Sequence, residues 1–338
     1  MLQIQENISL KPYNSFGIDV KAKYFAEVFA EKDLVKLFEN ELVKSQKLLI
    51  VGGGSNVLFT QDYDGLVIKI SIMGIESVVL ADKVLVTAGA GEVWNDFVNY
   101  CVQHHFAGVE NLSLIPGTVG ASPIQNIGAY GVELKDVFES CTAFEISTGQ
   151  IKTFNYEDCH FGYRESIFKG ELKGQYIITS VTFRLSSEAK INTSYGAIET
   201  ELHNRGIENP TIADVSAAVS HIRVSKLPDP STIGNAGSFF KNPVIEKYEF
   251  ADIVAKHPDV VHYATADNKI KLAAGWLIEQ CGWKGKIVGQ TGTWKNQALV
   301  LVNHGGATGT EVYAFSEQII DSVKSTFGVT LEREVNIL

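Results

Sequence analysis

Apolar residues recur along this chain with both helical and strand-like spacing, and the mixture predicts an α+β fold. Helical periodicity predicts helices at 33–43, 92–105, 269–281 and 311–327, and a further helix that begins after Thr211 and ends before Pro228. Apolar runs and alternations predict strands at 47–51, 65–70, 83–88, 140–146, 150–154, 175–185 and 298–302. Because the helices and strands do not alternate as βαβ units, the pattern favours α+β over a doubly wound sheet.

Three of the predicted helices have recognisable ends or a clear apolar face. A capping box of Thr211 and Asp214 starts one helix, and Gly328 ends the helix at 311–327. The residues predicted to face inward are Val93, Phe97 and Cys101, then Val215, Val219 and Ile222, and then Val312, Phe315, Ile319, Val323 and Phe327. We expect a domain boundary near residue 210, where Asn209-Pro210 interrupts the pattern.

Two glycine-rich segments predict a ligand site. The segment Gly52-Gly53-Gly54-Ser55-Asn56 follows the strand at 47–51, and residues 111–131 contain four glycines and two prolines. Glycine lets backbone N–H groups approach a ligand, and a long irregular segment within a domain is often a binding loop. Neither segment has the Walker ending or the dinucleotide fingerprint. The favoured interpretation is a diphosphate held by backbone amides, and plain tight turns are the alternative.

Composition and charge narrow the class of protein. The chain has 338 residues, of which 45% are hydrophobic and 20% charged, as in ordinary globular proteins of two or three domains. Its net charge of −10 argues against nucleic-acid binding, so an anionic ligand needs local positive groups. The four cysteines, Cys101, Cys141, Cys159 and Cys281, have no metal-ligand spacing and indicate reduced thiols. With no signal peptide and no apolar run of transmembrane length, we expect a cytoplasmic protein without a membrane partner. We also expect a monomer and no metal site.

Three polar segments carry candidate catalytic side chains. They are FGYRES at 161–166, NAGSFFKNP at 235–243 and LEREV at 331–335. Ser238 lies between Gly237 and two phenylalanines, so we expect apolar surface to enclose its hydroxyl. The surrounding sequence is not the nucleophile elbow of a hydrolase, and a simple turn serine is the alternative for this residue taken alone.

Seven segments together resemble one enzyme family over nearly the whole chain. They are VGGGSNVL (51–58), NLSLIPGTVGASPIQNIGAYG (111–131), YRESIF (163–168), KLPDP (226–230), NAGSFFKNP (235–243), AGWLIEQCGWKG (274–285) and LEREV (331–335). In this order they are similar to the type I branch of the UDP-N-acetylenolpyruvoylglucosamine reductases, flavoenzymes of peptidoglycan synthesis. The resemblance implies non-covalent FAD that is reduced by NADPH and passes the hydride to C3 of an enolpyruvyl nucleotide sugar, while C2 is protonated.

The resemblance also implies a domain organisation. An FAD-binding domain of the vanillyl-alcohol-oxidase type would form two lobes, residues 1–70 and 71–212, with its characteristic region at about 14–188. A smaller α+β substrate-binding domain would occupy residues 213–338, and its last strand would return to the body of the protein.

Residue roles follow from the same resemblance. Ser238 would protonate C2, and Arg164 and Glu334 would stabilise the enolate-like intermediate. A guanidinium can meet the developing charge with paired donors, whereas Glu334 must be protonated or hydrogen-bonded so that it does not repel the enolate. The implied cofactor-binding residues are Gly52, Gly53, Gly54, Ser55, Asn56, Ile115, Pro116, Gly117, Gly120, Ser122, Asn126, Gly128, Ala129, Tyr130, Arg164 and Ile178. The implied substrate-binding residues are Tyr163, Tyr195, Lys226, Asn242 and Gln297.

The sequence departs from the family pattern at one position, and two other functions remain as alternatives. Many relatives have arginine two residues after the tail glutamate, where this chain has Asn336, which puts in doubt how Glu334 is held or how NADPH phosphate is received. An FAD-linked oxidase that uses oxygen is the first alternative, although no flavin-attaching histidine lies near the first glycine segment. A non-catalytic flavin or nucleotide-sugar module is the second, but it leaves the set of Ser238, Arg164 and Glu334 unexplained.

Overall fold

Helices and strands are mixed along the chain, as the predicted α+β class requires. The computed structural model describes residues 2–265 and 267–338. The helices are α1 (Glu31–Glu39), α2 (Glu41–Lys44), α3 (Trp94–Gln103), α4 (Gly196–Asn204), α5 (Ile212–Lys226), α6 (Lys247–Lys256), α7 (Ala274–Gln280) and α8 (Gly309–Phe327). None of the helices within the described ranges is long and apolar enough to cross a membrane.

The strands are mostly short, and only β2, β5, β10 and β12 reach eight residues or more. They are β1 (Ile4–Ser9), β2 (Lys21–Val28), β3 (Leu48–Val51), β4 (Val57–Leu58), β5 (Tyr63–Ile70), β6 (Ile75–Val79), β7 (Val84–Gly89), β8 (Gly128–Ala129), β9 (Val132–Glu133), β10 (Phe138–Glu145), β11 (Ile151–Asn155), β12 (Tyr176–Leu185), β13 (Gly234–Ser238), β14 (Val244–Ile245), β15 (His262–Ala264), β16 (Ile270–Leu272), β17 (Ile287–Val288), β18 (Thr291–Trp294), β19 (Gln297–Asn303) and β20 (Asn336–Ile337). Every strand predicted from the sequence is present, with ends that differ by one or two residues.

The chain folds into two units, each assembled from separate segments. The first unit comprises the residues up to Ile8, Ala22–Gly53 and Asp64–Arg223, and the second comprises Ser9–Lys21, Gly54–Tyr63 and Val224–Leu338. The first glycine segment therefore belongs to both units: Gly52 and Gly53 lie in the first unit, and Gly54, Ser55 and Asn56 lie in the second.

The first unit contains two larger sheets. One has the order β1-β2-β5-β3, in which β3 and β5 run parallel, and the other has the order β11-β10-β12-β7-β6 and is antiparallel. α3 packs its aromatic face on β12, where the Phe97 and Phe183 rings lie 4.4 Å apart and the Trp94 and Phe183 rings 5.8 Å apart. Burial of such large rings is a main source of stability in a core of this kind.

The second unit is built around the sheet β13-β19-β18-β17. A smaller sheet, β14-β16-β15, and the parallel pair β20-β4 complete its strands. The inward face predicted for α8 is confirmed, because all five of its predicted residues are buried. Gly328 ends this helix in the left-handed conformation (φ 73°), which glycine adopts at little cost.

The helix predicted at 269–281 is wrong in its first part. Ile270–Leu272 is the central strand β16, in which Ile270 and Leu272 are buried on one face and paired with β14 and β15. Only Ala274–Gln280 is helical, and Gly282 (φ 76°) stops it. The run from Ile270 to Ala274 suits either a helix or a strand, and pairing with two distant strands decides the outcome.

Two other predicted helices differ in detail. The helix predicted at 33–43 is two helices, because Asn40 leaves helical geometry and its side chain caps α2 by accepting from Leu42 N at 3.0 Å. Val93 does not face inward as predicted: it precedes α3 in extended conformation and is exposed, while Phe97 and Cys101 are buried. For α5, the Thr211–Asp214 capping box and the buried face are both confirmed.

Candidate active site

In the first unit, the two glycine-rich segments approach each other. A Cβ added to Gly53 would lie 3.2 Å from the Gly117 Cα, and a Cβ added to Gly52 would overlap the Thr118 hydroxyl. A side chain at Gly52 would therefore have to displace the Thr118 side chain. The approach leaves two runs of backbone side by side, as a backbone-lined diphosphate site requires.

The second glycine segment is anchored by the start of α3 and by β12. Trp94 N donates to Gly117 O at 3.0 Å, and Gly120 N donates to Ala90 O at 2.9 Å. Ala90 N in turn donates to Thr179 O at 2.9 Å. This segment is consequently held to the buried sheet, next to the predicted cofactor residue Ile178.

Four non-glycine residues at or near this site adopt left-handed backbone conformations. Leu114, Asn126, Tyr130 and Arg164 have φ values of 56°, 43°, 50° and 58°. Each such residue costs on the order of 1–3 kcal/mol and persists only where its surroundings enforce it. Asparagine tolerates the conformation best, so Leu114, Tyr130 and Arg164 carry most of this strain. Strain of this kind is typical of functional sites.

The buried side chain of Asn126 connects the second glycine segment to the turn that carries Arg164. Its Nδ2 donates to Gly162 O at 2.9 Å, and its Oδ1 accepts from Lys135 N at 3.0 Å. Ser166 supports the same connection by donating to Ile124 O at 2.6 Å.

Arg164 lies at the tip of a tight turn. Gly162 and Glu165 close the turn with two backbone hydrogen bonds of 3.0 and 3.2 Å. Arg164 Nη2 donates to Gly128 O at 2.7 Å, and the guanidinium lies 5.2 Å from the centre of the Tyr163 ring. The predicted residues Arg164, Tyr163 and Gly128 are thus together, and the guanidinium is oriented before any ligand binds.

Arg223 belongs to the same region, although the sequence analysis did not identify it. Its Nε donates to Leu114 O at 3.2 Å, and its guanidinium is hydrogen-bonded to Tyr130. Burial lowers the pKa of Arg223 and raises that of Tyr130. Because both of these partners are neutral, this half-buried cation favours a nearby anion. Its position four residues after Val219, on the buried stripe of α5, is the signal that could have revealed it.

The remaining predicted cofactor residues have varied environments. Ser122 is buried and donates to Val119 O at 2.6 Å, and Ile178 is buried in β12. Ala129 pairs with Val132, Ile115 is half-buried and Pro116 is exposed. The exposed Tyr195 packs edge-on against Tyr130, with the ring centres 5.3 Å apart.

In the second unit, Ser238 ends the edge strand β13. Its strand has one extra residue relative to β19, since Asn235 pairs with Val302 and Ser238 with Val300, and Gly237 (φ 67°) takes up the bulge. The predicted enclosure of the Ser238 hydroxyl is wrong. Phe239 and Phe240 point into the core and are fully buried, whereas Ser238 is exposed.

The tail brings Glu334 beside this strand. Glu334 N donates to Phe239 O at 2.9 Å, and Arg333 anchors the tail to α8 by donating from Nε to Ser316 Oγ at 2.9 Å. Asn56, of the first glycine segment, donates from Nδ2 to Glu334 O at 3.4 Å. Hydrogen bonds therefore join the three segments of chain that carry Ser238, Glu334 and Asn56.

The predicted substrate residues of this unit also lie near one another. Asn242 Oδ1 accepts from Ala274 N at 3.0 Å, and a Cβ on Gly275 would lie 2.7 Å from Gln297 Oε1. Lys226 is exposed at the end of α5, where Asn296 Nδ2 donates to Ser225 O at 2.9 Å. Asn242 and Gln297 thus flank the start of α7, and Lys226 follows the residue that binds Asn296.

Comparison with known proteins supplies the family context. Residues 229–338 match the family described as UDP-N-acetylenolpyruvoylglucosamine reductase, C-terminal domain, and residues 22–155 match the FAD binding domain family. The UDP-N-acetylenolpyruvoylglucosamine reductase of Flavobacterium johnsoniae is 51% identical over 100% of both chains. That of Pseudomonas aeruginosa is 48% identical over 99% of both chains.

A solved structure has the same fold. The UDP-N-acetylenolpyruvylglucosamine reductase from Thermus caldophilus superposes with a TM-score of 0.68, at 22% identity, over 100% of this chain and 99% of the other. This likeness, together with the FAD-binding match, confirms the predicted α+β fold with a flavin-binding domain.

Proposed function

We infer the roles of the site residues from one premise: the chain belongs to the UDP-N-acetylenolpyruvoylglucosamine reductase family. It is an FAD-dependent oxidoreductase of peptidoglycan synthesis that uses NADPH to reduce enolpyruvyl-UDP-N-acetylglucosamine to UDP-N-acetylmuramate. The observation that carries this conclusion is 51% identity to a named reductase over the full length of both chains. It favours this function over an oxygen-using oxidase and over a non-catalytic binding module.

The residues of the site fit FAD. Gly52 and Gly53 leave backbone exposed to a diphosphate where side chains would collide with the second glycine segment, and the half-buried Arg223 offers a cation to an anionic group. Bound there, FAD would supply the hydride transfer from NADPH to C3 of the substrate. We propose that the cofactor residues inferred from the sequence hold it, since several of them meet around the two glycine segments.

We assign the proton transfer to Ser238. Its hydroxyl is exposed at the end of β13, where a bound substrate can reach it, and a general acid must lie within hydrogen-bonding distance of the atom that it protonates. We propose that the Ser238 hydroxyl donates a proton to C2 of the substrate. We further propose that Glu334, which is held beside the same strand, supports this proton transfer in hydrogen-bonded or protonated form.

We assign stabilisation of the enolate-like intermediate to Arg164. Its bond to Gly128 O and its contact with Tyr163 orient the guanidinium in advance, so little reorganisation is needed when negative charge develops. Tyr163, Tyr195, Asn242 and Gln297 are proposed to bind the nucleotide sugar together with Lys226. Their hydroxyl, amide and ammonium groups suit a sugar and a diphosphate.

The experiment that tests the function combines turnover with flavin release. Purified protein should oxidise NADPH over many turnovers only when the enolpyruvyl nucleotide is present, and it should then produce UDP-N-acetylmuramate in an amount equal to the NADPH oxidised. Oxygen consumption that accounts for most of the NADPH would contradict this function. Acid precipitation should release the flavin into the supernatant, and flavin that stays in the pellet would contradict non-covalent binding.

Replacing Lys226 with alanine should raise the KM for the nucleotide sugar and leave flavin content unchanged. One charge-assisted hydrogen bond contributes about 1.5–3 kcal/mol, and because Lys226 is exposed we expect the lower end, roughly ten-fold. Lys256→Ala is the matched control, since Lys256 is also an exposed lysine that ends a helix. Equal KM values in both variants would remove Lys226 from the site.

We further propose the domain organisation, location and assembly of the protein. Lobes at 1–70 and 71–212 followed by a substrate domain at 213–338 are supported by family matches at 22–155 and 229–338. A cytoplasmic location is supported by the nucleotide-sugar substrate and by four cysteines that are all free thiols. We propose a monomer, and light scattering that gives twice the mass of one chain would contradict it.

A further inference from the structure

In the second unit, β13 has one edge that no strand of its sheet covers. The sheet order is β13-β19-β18-β17, so β19 pairs with only one side of β13. The Gly237 bulge also interrupts that pairing between Asn235 and Ser238. The backbone hydrogen bonds between β13 and β19 would therefore, by themselves, hold the end of β13 only weakly.

Ser15 occupies part of the open edge of β13. Asn235 N donates to Ser15 O at 3.0 Å, and Ser15 Oγ donates to Asn235 O at 2.6 Å. Ser15 N donates to Gly54 O at 3.0 Å, at a glycine (φ 61°) where any Cβ would overlap Tyr13 O. One serine thus satisfies both backbone groups of Asn235 and also binds the first glycine segment.

The tail completes a closed circuit of hydrogen bonds. Glu334 N donates to Phe239 O, and Asn56 Nδ2 donates to Glu334 O. Asn336 then donates to Asn56 O twice, from its backbone N at 3.1 Å and from Nδ2 at 3.0 Å. The circuit runs from Ser15 through β13 to the tail and returns through Asn56 and Gly54.

Ser238 and Glu334 both belong to this circuit. Ser238 lies between two residues that are bound from outside the sheet, Asn235 by Ser15 and Phe239 by Glu334. A closed circuit restrains each member from two directions, so loss of one bond frees the residues on both sides of it. The packing of Phe16 against Phe239, with ring centres 6.1 Å apart, follows the same connection.

We propose that Ser15 is a positioning residue for the proton transfer from Ser238, a role that rests on the function proposed above for Ser238. Its side chain does not touch the substrate. It fixes the backbone at Asn235, and through the bulge it fixes the direction of the Ser238 hydroxyl. Misplacement of a catalytic group by about 1 Å can cost on the order of 10²-fold in rate.

The test compares the two half-reactions by stopped-flow absorbance of the bound flavin. Ser15→Ala should slow reoxidation by the enolpyruvyl nucleotide roughly ten-fold, and it should leave flavin content and reduction by NADPH within about two-fold of wild type. Ser15→Thr keeps the hydroxyl and should restore most of the reoxidation rate. Thr60→Val is the matched control, because it removes another side-chain bond to the tail, from Thr60 Oγ1 to Leu338 O at 2.7 Å, and should behave as wild type.

A double variant separates a positioning role from general destabilisation. If Ser15 acts through Ser238, adding Ser15→Ala to Ser238→Ala should change reoxidation by less than about two-fold, since coupled residues are not additive. A full ten-fold additional loss would overturn the proposal, as would normal reoxidation in Ser15→Ala or equal slowing in Thr60→Val. Normal reoxidation in Ser238→Ala alone would instead refute the role of Ser238, which keeps the two failures distinct.

Discussion

Replacing Ser238 with alanine should leave reduction of the enzyme by NADPH near the wild-type rate and slow reoxidation by the enolpyruvyl nucleotide on the order of 10²–10⁴-fold. The first half-reaction needs no proton at C2 of the substrate, whereas the second requires one. Loss of a positioned general acid affects only the second. Stopped-flow traces at flavin wavelengths resolve the two steps.

The exposure of Ser238 changes the size of this expected effect. An acid enclosed by apolar side chains could not be replaced by water, but Phe239 and Phe240 point away from the hydroxyl. Water can therefore substitute in part, and we expect a loss nearer 10² than 10⁴. Ser238→Cys keeps a proton at the same place and should be faster than the alanine variant. Reoxidation of Ser238→Ala at the wild-type rate would make the residue a turn serine.

Replacing Arg164 with methionine should slow reoxidation about 10²–10³-fold, the usual loss when one preorganised donor to a developing oxyanion is removed. The methionine fills similar space without charge. Arg164→Lys should recover only part of the rate, because a lysine cannot bind Gly128 O and the substrate with a rigid planar fork. Rates at saturating nucleotide separate this effect from weakened binding.

Arg184→Met is the control for Arg164. Arg184 is an arginine of the same unit whose side chain is exposed and paired with Glu139 at 3.5 Å. It should show normal rates in both half-reactions. Should Arg164→Met change only the KM for the nucleotide, the residue would bind the substrate without stabilising the intermediate.

Most of the fold could be predicted because the spacing of apolar residues within a single segment already distinguishes a helix from a strand. The buried face of α8 and the strand-like runs that form β10 and β12 are visible in single segments and are confirmed. The prediction fails where pairing with strands distant in sequence decides between a helix and a strand. Residues 270–272 are a strand only because β14 and β15 lie on both sides of them, and neither partner is evident from the segment itself.

The residues of the candidate site fall into the same two groups: those that the local sequence marks and those whose contacts depend on distant parts of the chain. The glycine segments and the Arg164 turn could be identified because unusual residue types are concentrated there. Ser15 could not, since an ordinary serine acquires its role only from a carbonyl group far along the chain. Arg223 had only its place on the buried stripe of α5 to mark it, and its bond to Leu114 O is not evident from the sequence. The orientation of Ser238 was likewise inaccessible, because the bulge at Gly237 decides which side of β13 each residue faces.

The interleaved segments of the second unit have a consequence for biosynthesis. Synthesis of residue 223 completes the chain of the first unit, but Ser15 and Asn56 then still await partners that lie 220 and 280 residues further along. Contacts so remote in sequence close late and slowly, and domains tend to fold as they leave the ribosome. The backbone around Ser238 and Glu334 should therefore be the last part of the chain to become ordered, after the core of the first unit has formed.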